Sequence, residues 1–303
     1  MPIHLSSVNR RQFLSQSAAA LAGVSVLRIG YAAPVAESMT LALLSDTHIP
    51  KSAKVTAREV NMTANLQQAV GQINQLPSKP AAVLFNGDCA YLSGLPADYA
   101  NFANCIQPLI DADQELHMTM GNHDNIPAFY DALKTQRPEQ PPVESKHVSI
   151  LETPYANFFL LDSLMKTNVV TGELGDAQLK WLSDALDARA DKPAIVMAHH
   201  TLQKVAPPEG KAWGGILDTA KFLELMHAKK QVKAYVFGHS HVWSHTRDGD
   251  LHLINLPASA YVFDPAQPNG WTLARLNNSG IEFELQAHDQ SHQNHQQVFA
   301  VKW

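Results

Sequence analysis

Five short clusters carry the side chains that hold cations through oxygen and nitrogen: Asp46-Thr47-His48, Gly87-Asp88, Gly121-Asn122-His123-Asp124, His199-His200 and Gly238-His239-Ser240-His241. Carboxylate and amide oxygens mixed with imidazole nitrogens suit ions such as zinc, manganese or iron. Asp46 and His48 are two residues apart, as are His239 and His241. In an extended segment such pairs point the same way, so each pair can approach one ion from one side. The glycines permit tight, left-handed turns that bring side chains back over the preceding segment. Singly, each cluster is weak: an Asp-Thr-His is usually a turn, and a His pair is more often a hydrogen-bonded surface feature. Their sum and their order carry the signal.

Each cluster follows an apolar run of strand length. The runs are Met39 to Ser45, Ala81 to Phe85, Glu115 to Met120, Ala194 to Ala198 and Lys233 to Phe237. Helical spacing lies between them. Met62, Leu66, Val70 and Ile73 mark one face, and a second helix is expected over about residues 97–109. Asp176 is expected to cap a helix bearing Leu179, Leu182 and Leu186, and Asp218 a helix running through Met226. Val148–Leu151 and Asn157–Leu161 predict a hairpin across Thr153-Pro154. Leu251–Leu256, Trp271–Leu276 and Ile281–Gln286 predict a closing antiparallel set. Strands alternating with helices make an α/β fold, in which ligand sites gather at the carboxyl ends of strands, so the five loops should meet at one edge. No internal repeat or linker interrupts residues 39–303, which predicts one domain.

At 303 residues and 45% hydrophobic content, the chain can bury a large core without disulfides. Its formal charge of −5 argues against a broad basic surface for nucleic acid. Arg10-Arg11-Gln12-Phe13-Leu14, a weakly apolar run from Ala18 to Leu27 and small residues around Ala32-Ala33 have the three-part grammar of an export signal. The paired arginines resemble a twin-arginine signal, and the expected signal is residues 1–33, with cleavage between residues 32 and 37. The apolar run is too short and too rich in Ala, Gly and Ser for a stable membrane span. Removing Arg10, Arg11 and Arg28 would move the charge from −5 to about −8. The expected location is the bacterial periplasm or the medium. Cys89 and Cys105 are the only cysteines, and the sequence leaves their pairing open.

The order D-x-H, G-D, G-N-H-D, H and G-H-x-H resembles the calcineurin-like metallophosphoesterase superfamily over about residues 39–260. Within it, the Gly121-Asn122-His123-Asp124 form, the segment from Thr171 to Leu182 and the His199-His200 pair are most similar to bacterial cyclic-nucleotide and glycerophosphodiester phosphodiesterases. The resemblance implies a four-layer α/β/β/α sandwich with a dinuclear metal site at the strand carboxyl ends. It implies that Asp46, His48 and His241 hold one metal, that Asn122, His199 and His239 hold the other, and that Asp88 bridges them. His123 would stabilise the phosphate or donate a proton, oriented by Asp124. His200 would support the site or face substrate, although Thr201 stands where relatives often have proline. Trp213 is a candidate pocket wall, with loop packing the competing explanation.

The implied chemistry is phosphodiester hydrolysis. Two cations roughly 3.5–4 Å apart offset the anionic charge of the ester and lower the pKa of a bridging water. Fe, Mn, Zn or Co all fit the donor types. Phosphomonoester hydrolysis, nuclease action and a non-catalytic metal-binding scaffold are the alternatives. The expected partners are a small phosphoester and the twin-arginine export machinery. His117, His147, His227, His245 and His252 are expected to be structural, and His288, His292 and His295 to lie in a solvated tail. Changing Arg10 and Arg11 together to Lys is expected to leave the protein in the cytoplasm, read by fractionation; unaltered export would rule out the twin-arginine route.

Overall fold

Successive residues of the first strand face two different cores. A computed structural model describes residues 38–133 and 140–303, and the expected export signal with its expected cleavage region lies outside these residues. In β1 (Met39–Leu44), Leu41 and Leu43 enter one apolar cluster while Ala42 and Leu44 enter another. A strand covered on both faces reads as an unbroken apolar run, which is why no polar alternation appears there.

The first sheet has the order β12-β11-β10-β1-β2-β3, with β2 (Ala82–Asn86) and β3 (Leu116–Thr119) parallel to β1. β10 (Gly270–Asn277), β11 (Gly280–Ala287) and β12 (Val298–Lys302) extend it antiparallel. The second sheet has the order β4-β5-β6-β7-β9-β8. It comprises β4 (Ser149–Glu152), β5 (Asn157–Leu160), β6 (Ala194–Met197), β7 (Val232–Phe237), β8 (Ser244–Asp248) and β9 (Leu251–Asn255). Strands β5, β6, β7 and β9 run parallel.

Three apolar layers join these sheets and their helices. Outside the first sheet, α1 (Met62–Asn74), α2 (Pro96–Asp111) and α3 (Ile126–Leu133) bury Leu66, Phe102 and Phe129 against Ala42, Leu44 and Phe85. Between the sheets, Leu41, Leu43 and Phe283 pack with Phe158, Met197 and Ile254. Outside the second sheet, α4 (Asp176–Asp187) and α5 (Thr219–Ala228) bury Leu182 and Phe222 against Val196 and Tyr235. The result is the expected four-layer α/β/β/α order.

Several local expectations change. The 251–256 strand does not join the closing antiparallel set: β9 lies parallel to β7, which places Ile254 and Leu256 in the inter-sheet core. The residue at the N-cap of α4 is Gly175 at φ 82°, with Asp176 inside the helix. Asp218 stands at the α5 cap without a side-chain capping bond. Its carboxylate instead accepts from Leu174 N and Gly175 N at 3.1 and 2.8 Å, joining the starts of both helices. The tail is not merely solvated: His288 Nε2 meets the Ser259 carbonyl at 3.0 Å, and β12 pairs with β11. Cys89 and Cys105 are both buried and unpaired. Among the described residues no helix is long and apolar enough to cross a membrane.

Candidate metal centre

The five clusters meet at the carboxyl ends of parallel strands from both sheets. Asp46 and His48 follow β1, Asp88 follows β2, Asn122 and His123 follow β3, His199 follows β6, and His239 and His241 follow β7. Backbone bonds lace these loops together. Asp46 N donates to Gly87 O, His48 N to Asp88 O, and Gly238 N to His199 O, at 3.2, 2.8 and 2.9 Å.

The side chains converge by a different geometry from the extended one expected. Asp46, His48, Asp88, His239 and His241 all have φ between 45° and 69°, the left-handed region. That conformation costs a non-glycine residue on the order of 1–3 kcal/mol unless its surroundings fix it. Of the cluster glycines, Gly87 supplies a left-handed turn at φ 73°, while Gly121 and Gly238 contribute through close approach. A Cβ on Gly238 would meet Ser45 Oγ at 2.0 Å and Asp46 Oδ2 at 2.5 Å. One on Gly121 would meet Asp88 Oδ1 at 2.2 Å.

Three overlapping donor groups result: Asp46-His48-His241, His48-Asp88-His123 and Asp88-His199-His239. His48 Nε2 and His241 Nε2 are 3.1 Å apart, His241 Nε2 and Asp46 Oδ1 are 3.3 Å apart, and His199 Nε2 and Asp88 Oδ2 are 3.2 Å apart. Two ligand atoms each about 2.1 Å from one tetrahedral ion stand about 3.4 Å apart, so these separations fit shared ions. The outer ring nitrogens are fixed by carbonyls, His199 Nδ1 by Asn86 O at 2.9 Å and His241 Nδ1 by Tyr261 O at 2.5 Å. Such bonds hold a ligating tautomer in place. Asn122 Oδ1 is buried with no hydrogen-bond partner, and His199 Nε2 meets only carboxylates, Asp88 Oδ2 at 3.2 Å and Asp46 Oδ1 at 3.8 Å. A buried amide oxygen without a donor, lining the same pocket as a buried carboxylate and several imidazoles, is what a cation site requires.

The titration of these groups tells the same story. Burial opposes the charge on Asp46 and Asp88, but the neighbouring imidazoles together outweigh it, His199 with His241 at Asp46 and His199 with His48 and His123 at Asp88, so both carboxyls stay below their usual range. Burial also disfavours charge on His199, yet the Asp88 and Asp46 carboxylates raise it to about 10. Burial drives His48 down to about 3 and His239 to about 4, leaving both rings neutral and able to ligate.

The site opens into a pocket of about 430 Å³ bordered by His123, Asn168, Val170, Tyr261 and Phe263. His123 is partly exposed, and its Nδ1–H donates to Leu92 O at 2.6 Å, leaving Nε2 for the pocket. Asp124 does not orient it. The Asp124 carboxylate accepts from Cys89 N, Ala90 N, Gly121 N and Tyr99 Oη at 3.1, 3.2, 2.9 and 2.9 Å, so it ties the β2 and β3 loops to α2. Burial and the nearby Asp88 charge raise it to about 6. His200 is fully buried with Nδ1 on Ser163 Oγ at 2.8 Å, behind His239 rather than facing the pocket. Trp213 donates Nε1–H to Ile216 O within its own loop, while its neighbour Gly214 borders the pocket. Leu92, Tyr99, Tyr261 and Phe263 are site residues with no mark in the sequence, because Leu92 and Tyr261 serve through backbone carbonyls, Tyr99 through its hydroxyl and Phe263 through its ring.

An α/β/β/α sandwich with a buried carboxylate–imidazole centre at its strand ends has the donors of a metal-dependent enzyme. Residues 39–243 match the family described as calcineurin-like phosphoesterase, and the chain belongs to that family of metal-dependent hydrolases. It is 28% identical over 205 residues to a probable glycerophosphodiester phosphodiesterase of Arcobacter nitrofigilis, covering 67% of this chain and 72% of that protein. It is 26% identical over 250 residues to a 3′,5′-cyclic adenosine monophosphate phosphodiesterase of Haemophilus influenzae, covering 78% of this chain and 85% of that one. A dimetal phosphatase from Danio rerio shares the fold at a TM-score of 0.64 and 14% identity, over 88% of this chain and 99% of its own.

Asp124→Ala strands several buried donors, and the expected loss is about 3 kcal/mol of stability or more, read by denaturant unfolding. Unchanged stability with reduced turnover would instead return Asp124 to a role in orienting His123.

Proposed function

We propose that the chain hydrolyses small phosphodiesters of the cyclic-nucleotide or glycerophosphodiester type. The observation that carries this is Asp88: its carboxylate belongs both to the group containing His48 and to the group containing His199 and His239. Asp46, His48 and His241 would hold one ion with Asp88, and Asn122, His199 and His239 would hold the second with it. Bound together, two such ions offset phosphoryl charge and activate water near neutral pH. Fe, Mn, Zn or Co all suit the donors.

The chain's own residues then do three things. Asp88 sets the spacing of the two ligand groups, because its two loop contacts, His48 N to its carbonyl and His123 N to its Oδ1, leave it little freedom. The fixed carbonyl partners of His199 and His241 keep their ligating nitrogens turned inward. His123, held by Leu92 O, presents Nε2 where a protonated ring can steady a phosphoryl oxygen or protonate the departing alkoxide. The names of relatives on both sides of the phosphodiester class support a diester over a monoester. The export grammar of residues 1–33 supports a periplasmic or secreted location.

With two metal equivalents bound, the protein is expected to cleave bis(p-nitrophenyl) phosphate faster than p-nitrophenyl phosphate. Exclusive monoester cleavage would overturn the diesterase assignment. Asp88→Ala is expected to lose both ions and all activity, with metal content measured by elemental analysis. His123→Ala is expected to keep the ions and lower kcat by roughly 10²–10⁴-fold. Loss of metal in that variant would make His123 a ligand.

A further inference from the structure

Phe263 lines two cavities. It borders the pocket over the donor cluster and also a neighbouring cavity of about 410 Å³ walled by Arg58, Val60, Gln267, Asn269 and His292. Its ring stacks on His241 with centroids 4.3 Å apart, yet 52% of the residue remains exposed. A half-exposed Phe beside a polar centre is a surface that favours a flat apolar partner.

Arg58 is brought to the same place at a conformational cost. Residues Ala57 and Val60 exchange both backbone bonds, at 3.0 and 2.9 Å, around Arg58 and Glu59 at φ 50° and 67°. A two-residue turn with both central residues left-handed ordinarily takes Asn or Gly there. Here it carries Arg-Glu, and the Arg58 guanidinium carbon lies 4.9 Å from the Phe263 centroid and 5.9 Å from that of Tyr261. Arg58 has no ion-pair partner among the described residues. A guanidinium left without a carboxylate, lying over two aromatic rings at a pocket mouth, stacks readily on a further planar group.

We propose that Phe263 and Arg58 form a subsite for a planar aromatic group, such as a nucleobase, carried on the ester. The group packs against the exposed part of Phe263 near Arg58, while its edge meets the amides of Gln267 and Asn269 in the side cavity. The subsite rests on the phosphodiesterase assignment and narrows it. A cationic headgroup could meet the Phe263 ring only as a second cation beside Arg58, whose guanidinium carbon already lies 4.9 Å from the ring centroid, so like charge opposes it there. Stacking of a base on an aromatic side chain is worth roughly five- to a hundredfold in binding.

The test uses metal-loaded protein and two diesters that release the same p-nitrophenolate, thymidine 5′-(p-nitrophenyl phosphate) and methyl p-nitrophenyl phosphate. The native chain is expected to prefer the nucleosidyl ester in kcat/KM by about tenfold or more, expressed chiefly in KM. Phe263→Ala is expected to bring the ratio to about one, Phe263→Trp to keep it, and Arg58→Gln to lower it severalfold, with metal content measured in each. A ratio near one in the native chain, or a preference that survives Phe263→Ala with both ions present, overturns the subsite. If Phe263→Ala sheds metal through its contact with His241, Arg58→Gln decides, and an unchanged ratio there overturns it. Native protein that cleaves neither diester overturns the phosphodiesterase assignment as well, whereas a flat ratio removes the subsite alone.

Discussion

Two carboxylates buried where the sheets meet set the terms for everything around them. Asp46 and Asp88 are at most 2% exposed, and a buried anion must be met by positive charge or by hydrogen bonds. The chain supplies both. Ser45 Oγ and the His239 amide reach Asp46, the His123 amide reaches Asp88, and imidazoles ring the pair. The five loops cannot be rearranged singly, because each offers another loop a donor, a carbonyl or a ligand nitrogen.

That demand explains the strain. Five residues of the cluster hold left-handed backbone, and two glycines let the strand ends pass close to the carboxylates. The inter-sheet core supplies the rigidity that keeps such conformations in place. Leu41 and Leu43 of β1 lie in that core just before Asp46, and Val236 of β7 lies in it just before His239. Packing and chemistry are therefore consecutive along the same strands.

The residue types made the donor set legible, because Asp, Asn and His after apolar runs are uncommon enough in that order to signal a site. The layering was legible for a related reason: strands buried on both faces read as continuous apolar runs. Orientation was not. The spacing of Asp46 and His48 suggested an extended pair, whereas convergence comes from backbone turned the other way. Asp124 sits beside His123 in sequence but points inward to satisfy amides of Cys89, Ala90 and Gly121. The group that does hold His123 is the Leu92 carbonyl, and a carbonyl belongs to every residue, so no letter in the sequence announces it. The parallel course of β9 was hidden likewise, since an apolar run does not state its direction.

The left-handed loops also bear on time. Their ligand atoms are arranged by folding, so an arriving ion meets donors already in place and the chain gives up little further freedom in holding it. The cost of ordering the donors falls on folding, before any ion is met, and not on binding.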